Sequence, residues 1–322
     1  MPKGIFNKPQ ALAILTVLCW SFSSLLAKLI SIQSPYLLFS FSFSFALIVY
    51  LIIAYKIYRK HLFQAIRKVP FKYFLIGLCG YYAVWVGNTE SFRAFNSASE
   101  TTVLNYTWLI FTVFFTETIY QKKDSISLKS SIEFLGIILG FISVFILAVQ
   151  GNILSFKINN INGILWGLFG GTSYGFFSAY SSTLNKERQI IFLISSISAS
   201  LLAMLITSYF TSGNIILQAQ KLSWQKIGLT ALLGLLVDAL GYIMWTRSLS
   251  ISRAKNINVS KVVSIIFILP VASLLIVSFY LQEYTIIKPY FIVCILFFLG
   301  GLVLTQRSGY VTKFIKSKPK YD

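Results

Sequence analysis

Ten runs of apolar residues, each close to the thickness of a bilayer's hydrocarbon core, follow one another through this chain. They fall near 11–30, 36–55, 71–93, 99–119, 132–150, 162–183, 190–211, 226–247, 262–281 and 289–306. A helix needs about 20 residues to cross that core, and within it every backbone N–H and C=O must find a partner inside the segment. The pattern therefore predicts an all-α integral membrane protein with ten transmembrane helices. Composition closes the soluble alternative. Of 322 residues, 56% are hydrophobic and 11% charged, with a mean hydropathy of +0.75. A soluble domain of this size has too little interior to hide so much apolar surface. The opening MPKGIFNKPQ leads into an apolar run with no small-residue cleavage site, which reads as a retained first helix.

The net charge of +19 would point to nucleic acid in a soluble protein. Here the basic residues sit in short loops, where they set orientation, and no nucleic-acid partner is expected. With the N-terminus inside, the inner segments and the tail collect 22 of the 28 Lys and Arg. The outer side keeps Arg93, Lys157, Lys221, Lys226 and Lys288, and Lys28 lies in the first run. Both termini are thus expected in the cytoplasm, with positions near 157 and 221 outside, in a multi-pass protein of the cytoplasmic (inner) membrane.

The halves repeat. Sliding the chain by 154 positions lays Trp20-Ser21-Phe22-Ser23-Ser24 on Tyr174-Gly175-Phe176-Phe177-Ser178, and Lys72, Gly80, Gly87 and Arg93 on Lys226, Gly234, Gly241 and Arg247. Five helices per copy is an odd number, so the copies must face opposite ways across the membrane. The expected units are residues 1–150 and residues 151–322, the second carrying the basic tail. Pro35, Pro70 and Pro289 stand at or just before helix starts, where a missing N–H costs little. Pro270 lies inside the ninth run and should kink it as a hinge, freeing a carbonyl one turn earlier.

With these residues in hand, the chain resembles the drug/metabolite transporter superfamily, in particular its EamA-type carriers. The resemblance rests on CWSFSSLLAK (19–28) in the first run and GTSYGFFSAYS (171–181) where the second repeat restarts. LNYTWLIFTVFF (104–115) and ALGYIMW (239–245) look like the fourth and eighth helices of the aromatic amino acid exporter branch, and Pro270 followed by Glu283 matches the ninth. The first-half counterparts of that last pair depart from the pattern, being Leu109 and Lys122. The resemblance implies ten helices in two inverted halves and a secondary transporter of amino acids or related metabolites.

A charge inside a bilayer needs an account. Asp238 sits midway through the eighth run on a stripe with Gly234, Gly241 and Trp245. A substrate-amine contact, a proton carrier and a hydrogen-bonded helix tie all fit it. Lys28, Glu90, Arg93 and Glu100 should share one depth near the outer face, as a gate of breakable ion pairs or as ordinary interfacial charge. By symmetry Arg247 lies at the inner end of the eighth run, with Glu117 as its candidate partner. Trp20, Tyr106, Tyr174 and Tyr242, helped by Ser24, Asn105 and Ser178, are the candidates to line a midplane cavity, with Glu90 and Asp238 as its charged members. Such a cavity suits planar or cationic metabolites.

Cys19, Cys79 and Cys294 read as unpaired packing residues, and His61 as a solvated loop residue. The spacing of Gly136 and Gly140, and of Gly163, Gly167, Gly171 and Gly175, reads as helix packing. Nothing matches a nucleotide loop, metal cluster or nucleophile elbow, so no cofactor, metal or catalytic residue is expected. The leading reading is a transporter working by alternating access on a small-molecule substrate in the lipid bilayer, with a homodimer left open. A nucleoside-type or choline-like solute is the alternative within that class. A membrane-embedded lipid-modifying enzyme and a non-transporting scaffold are the alternatives outside it.

Overall fold

The structure, a computed structural model, describes residues 7–30, 34–120, 128–157, 159–213, 220, 222–282 and 288–317. Lys3, Lys122, Lys123, Lys221, Glu283, Lys318 and Lys320, used above for orientation and resemblance, lie outside the described residues. Every regular element among the described residues is helical. Seven stretches are long and apolar enough to cross a membrane: Pro9–Ile30, Pro35–Arg67, Leu128–Ala148, Lys186–Thr211, Trp224–Ala254, Ser260–Tyr280 and Pro289–Gln306. The chain is thus a multi-pass membrane protein in its helical make-up. Three further helical stretches, 71–95, 98–120 and 161–181, match runs expected from sequence. They have the length but are diluted by glycine, asparagine, threonine and tyrosine.

Local chemistry sets where the helices start. Helix α1 (Pro9–Ser21) begins on proline, and α2 (Ser23–Ile30) continues it. Helix α3 (Pro35–Tyr58) also starts on proline, with the Ser34 hydroxyl accepting the Leu37 N–H. These caps satisfy donors the helix leaves orphaned. Then come α4 (Leu62–Arg67), α5 (Phe71–Leu78), α6 (Val84–Phe95), α7 (Ala98–Phe115) and α8 (Leu128–Ala148). Asn160 caps α9 (Ile161–Ser181) and Asn185 caps α10 (Lys186–Ser212). The series closes with α11 (Trp224–Leu233), α12 (Tyr242–Ala254), α13 (Ser260–Ile266), α14 (Leu269–Leu281), α15 (Pro289–Gln306) and α16 (Ser308–Ser317).

Several long helices are interrupted, each for a visible reason. α1 gives way to α2 at Phe22, just after Ser21 turns its hydroxyl back to the Val17 carbonyl at 2.6 Å. Such back-bonding bends helices. α13 gives way to α14 at Phe267 and Ile268, because Pro270 has no N–H to return to Ile266. Two π-helical segments, Cys79–Ala83 and Gly234–Gly241, join α5 to α6 and α11 to α12. A π-segment leaves carbonyls without their usual i+4 donor.

Packing crosses between the two halves of the chain. α1 packs on α12, α13 and α14; α9 packs on α6 and α7. α3 packs on the segment Gly234–Gly241, α10 on α5 and α3, and α8 along α15. Small residues permit the closest approaches. A Cβ on Gly87 would lie 2.7 Å from the Trp166 carbonyl and 2.8 Å from Gly170, so α6 and α9 meet backbone to backbone. Gly163, Gly167, Gly171 and Gly175 lie in turn against Phe95, Leu104, Thr107 and Phe111. Large apolar side chains such as Ile14, Leu18, Ile48, Ile52, Leu202 and Leu296 point outward, the surface a lipid-facing bundle presents.

Candidate functional site

The orphaned carbonyls of the π-segments are taken up by aromatic donors from the opposite half. Tyr242 donates to the Gly80 carbonyl at 3.1 Å. In return the Trp20 indole donates to the Val237 carbonyl at 3.1 Å, and the Tyr50 and Tyr81 hydroxyls to the Asp238 carbonyl at 2.6 and 3.2 Å. These bonds hold a cluster of rings near the breaks. Trp20 lies 6.0 Å from Trp108, 5.7 Å from Tyr242 and 6.1 Å from Trp245, centroid to centroid. Trp108 meets Tyr174 edge to face at 4.8 Å, and Tyr81 stacks on Tyr242 at 4.1 Å.

Above this floor opens a cavity of about 510 Å³. Its walls are the turn from α1 to α2 (Ser23, Ser24), α6 (Trp85, Asn88), α7 (Thr102, Asn105, Tyr106) and α14 (Pro270, Ser273, Leu274). No charged side chain lines it. The Asn105 amide donates to the Asn88 carbonyl oxygen at 3.0 Å, which leaves the Asn88 amino group and the Asn105 carbonyl oxygen available. The Trp85 indole N–H, on a lining residue, is buried without a protein partner among the described residues. The site can stack a ring, exchange one or two hydrogen bonds with its edge, and exclude water beneath it.

Of the residues expected to bind substrate, Trp20, Ser24, Asn105, Tyr106, Tyr174 and Tyr242 come together here, and the expected hinge Pro270 lines the same wall. Three do not. Ser178 is fully buried and accepts the Trp245 indole N–H at 3.0 Å, a packing bond behind the floor. Glu90 is drawn aside to Arg93 at 2.7 Å and to the Tyr36 hydroxyl. Asp238 is 1% exposed. Its carboxylate accepts from Ser42 on α3, while its second oxygen has no protein partner. Asp238 lies in the π-segment with its carboxylate bonded to Ser42 on α3, and it is not among the residues that line the cavity.

The expected outer gate also divides. Glu90 and Arg93 pair, and Arg93 lies over the Tyr36 ring, 5.2 Å from its centroid. Glu100 instead accepts from Ser97 and from the Lys157 backbone N–H at 2.9 Å. It pins the loop after α8, having an N–H and a hydroxyl nearer than any cation. Lys28 is exposed on α2 and makes no ion pair with either acid. Arg247, half-buried on α12, is not paired with Glu117, which lies in a π-turn, Thr116–Tyr120, after α7.

Sequence reasoning passed over Trp85, Asn88, Trp108 and Ser273 in the cavity. Asn88 offered a signal, a second amide among apolar residues beside Gly87 and two residues before Glu90. It also passed over Glu133, buried on α8 and accepting from Asn258, Ser260 and Ser308, which ties α8 to the start of α13 and to α16. Among the described residues no cluster of His, Cys, Asp and Glu is arranged to hold a metal ion.

Thirteen chains of solved structures match this fold. One, described only as "Crystal structure of protein", superposes with a TM-score of 0.72 over 92% of this chain and 96% of its own, at 13% identity. At that identity the likeness speaks to fold alone. No family model matches the chain, and no curated protein matches it in sequence.

Proposed function

We propose that this chain is a secondary transporter of the drug/metabolite transporter superfamily, EamA type. It carries a small organic metabolite, an amino acid or a related ring-bearing compound, across the cytoplasmic membrane by alternating access. The observation that carries the reading is the cavity of about 510 Å³, floored by interlocked rings and walled by both halves of the chain at the points where their helices break. A cavity between the two halves, at elements able to rock at defined breaks, is what alternating access requires.

Ten spans in two inverted halves fit the packing. If the ten runs are numbered in order, the first packs on the eighth and ninth as the sixth packs on the third and fourth, and the second meets the eighth as the seventh meets the third. Exchanging each run with the one five places on leaves that pattern unchanged, as an in-plane two-fold axis demands. The π-segments support the same exchange, since Cys79–Ala83 shifted by 154 falls at 233–237, across the start of Gly234–Gly241. The positive-inside count puts both ends in the cytoplasm.

Within this function, the uncharged lining favours a second substrate reading. A free amino acid carries two charges, and burying either without a partner is costly. A flat, neutral nucleoside-type solute would find rings for its faces and the Asn88–Asn105 pair for its edge. The test is a thermal-shift screen of the purified protein against tryptophan, phenylalanine, uridine, adenosine and choline, because specific binding stabilises the folded state. Compounds that stabilise it are then assayed for counterflow in loaded proteoliposomes. A compound that binds yet crosses no faster than in protein-free vesicles would defeat the transport reading.

A further inference from the structure

A second cavity, of about 560 Å³, lies at the opposite end of the bundle from the first, beneath the turns that join α3 to α5 and α9 to α10. Its back wall is apolar and firmly packed: Tyr73, Leu184 and Ile191 are buried, and Ala65 and Val69 half-buried. Its mouth carries the exposed side chains of Lys68, Lys72 and Arg188. No carboxylate is in the lining, and Glu187, beside Arg188 in sequence, stands outside it. Lys72 lies 5.9 Å from the centroid of the Tyr180 ring, which holds its ammonium over the opening. Tyr73 meets Tyr180 edge to face at 6.2 Å, so that platform is itself supported from behind.

Three cations around one mouth repel one another, and nothing in the lining neutralises them. The arrangement is stable when an anion sits between them. Its position narrows the choice of anion. The short helix α4 beside it turns Leu62, Ala65 and Ile66 to the core and leaves Phe63 exposed; Phe71, at the start of α5, is exposed as well. Exposed aromatics at the ends of apolar helices mark the depth of lipid headgroups, and basic pockets between helix ends at that depth take anionic headgroups. An apolar wall suits a glycerol backbone, and a guanidinium with two ammoniums suits a phosphate.

We propose that this pocket binds a phosphate ester, whether the headgroup of an anionic phospholipid or a free phosphorylated solute. The site is independent of the transport cavity and of what that cavity carries. The test uses the full chain in detergent, with dioleoyl-phosphatidylglycerol, dioleoyl-phosphatidylcholine, glycerol 3-phosphate and inorganic phosphate as separate probes. Retention of lipid is read by native mass spectrometry, and the soluble probes by thermal shift. The variant K68Q/K72Q/R188Q should retain phosphatidylglycerol at least tenfold less than the wild type, while K56Q/K60Q/K129Q, which removes equal charge outside the pocket, should not. K68R/K72R, which keeps the charge, should behave as wild type and guards against misfolding. Preference for phosphatidylglycerol with no response to glycerol 3-phosphate assigns the lipid source. Response to glycerol 3-phosphate or phosphate, lost in the triple variant, assigns the soluble one. Equal retention of phosphatidylcholine and phosphatidylglycerol with no response to either soluble probe overturns the proposal, as does equal loss in both triple variants.

Discussion

Trp20 packs against four other rings at the centre of the molecule, and replacing it tests how the cavity floor is held. Its side chain is 6% exposed. It meets Trp108, Tyr174, Tyr242 and Trp245 at 5.7 to 6.4 Å and donates to the Val237 carbonyl from the other half of the chain. Trp20→Phe keeps a ring among these partners but removes the indole donor that the buried Val237 carbonyl accepts from across the halves. An unsatisfied buried acceptor costs about 1–3 kcal/mol. Trp20→Ala removes the ring as well and leaves a void, and such truncations cost about 3–5 kcal/mol. The two variants should therefore fall in that order in reversible unfolding in mixed micelles. Binding of a solute found by thermal shift should weaken with them, more for alanine than for phenylalanine. If Trp20→Ala costs less than about 1 kcal/mol and leaves binding unchanged, the floor is not built as described here. If phenylalanine proves as damaging as alanine, the hydrogen bond outweighs the packing, against the magnitudes used.

Three further outcomes are expected. Gly87→Ala should destabilise the protein by about 1–3 kcal/mol, since its Cβ would press on the backbone of α9 rather than on a side chain able to move; wild-type unfolding would show that α6 and α9 do not approach so closely. Asp238→Asn should leave solute affinity within about twofold, because its side chain is buried and does not line the cavity, and should abolish pH-driven accumulation if the buried carboxylate carries the coupling proton; a selective loss of affinity would place it in the solute's path. In a cysteine-free background, a cysteine at 157 should react with an impermeant maleimide on intact cells and one at 60 only after permeabilisation, and the reverse result would invert the topology.

The most apolar spans were legible from the chain alone, because a bilayer imposes a length and a composition on each helix that no tertiary contact can waive. Helices 128–148 and 289–306 announce themselves as apolar runs bounded by charge or proline. The stretches 71–95, 98–120 and 161–181 carry the same signal more weakly, since asparagine, threonine, tyrosine and glycine dilute it. Aromatic and amide candidates such as Trp20, Asn105, Tyr174 and Tyr242 were found because such residues in hydrocarbon need partners, and the cavity gathers them. The charges misled. A carboxylate seen in sequence invites a role at the site, yet Glu90, Glu100 and Asp238 each found a nearer hydroxyl, guanidinium or N–H. Which donor is nearest depends on helix rotation, and a π-segment adds a residue to the turn and rotates everything after it. The sequence determined that this protein is a bundle of helices apolar enough to lie in a membrane; the tertiary packing alone decided which faces of them meet, and so which side chains share a cavity and which are bonded elsewhere.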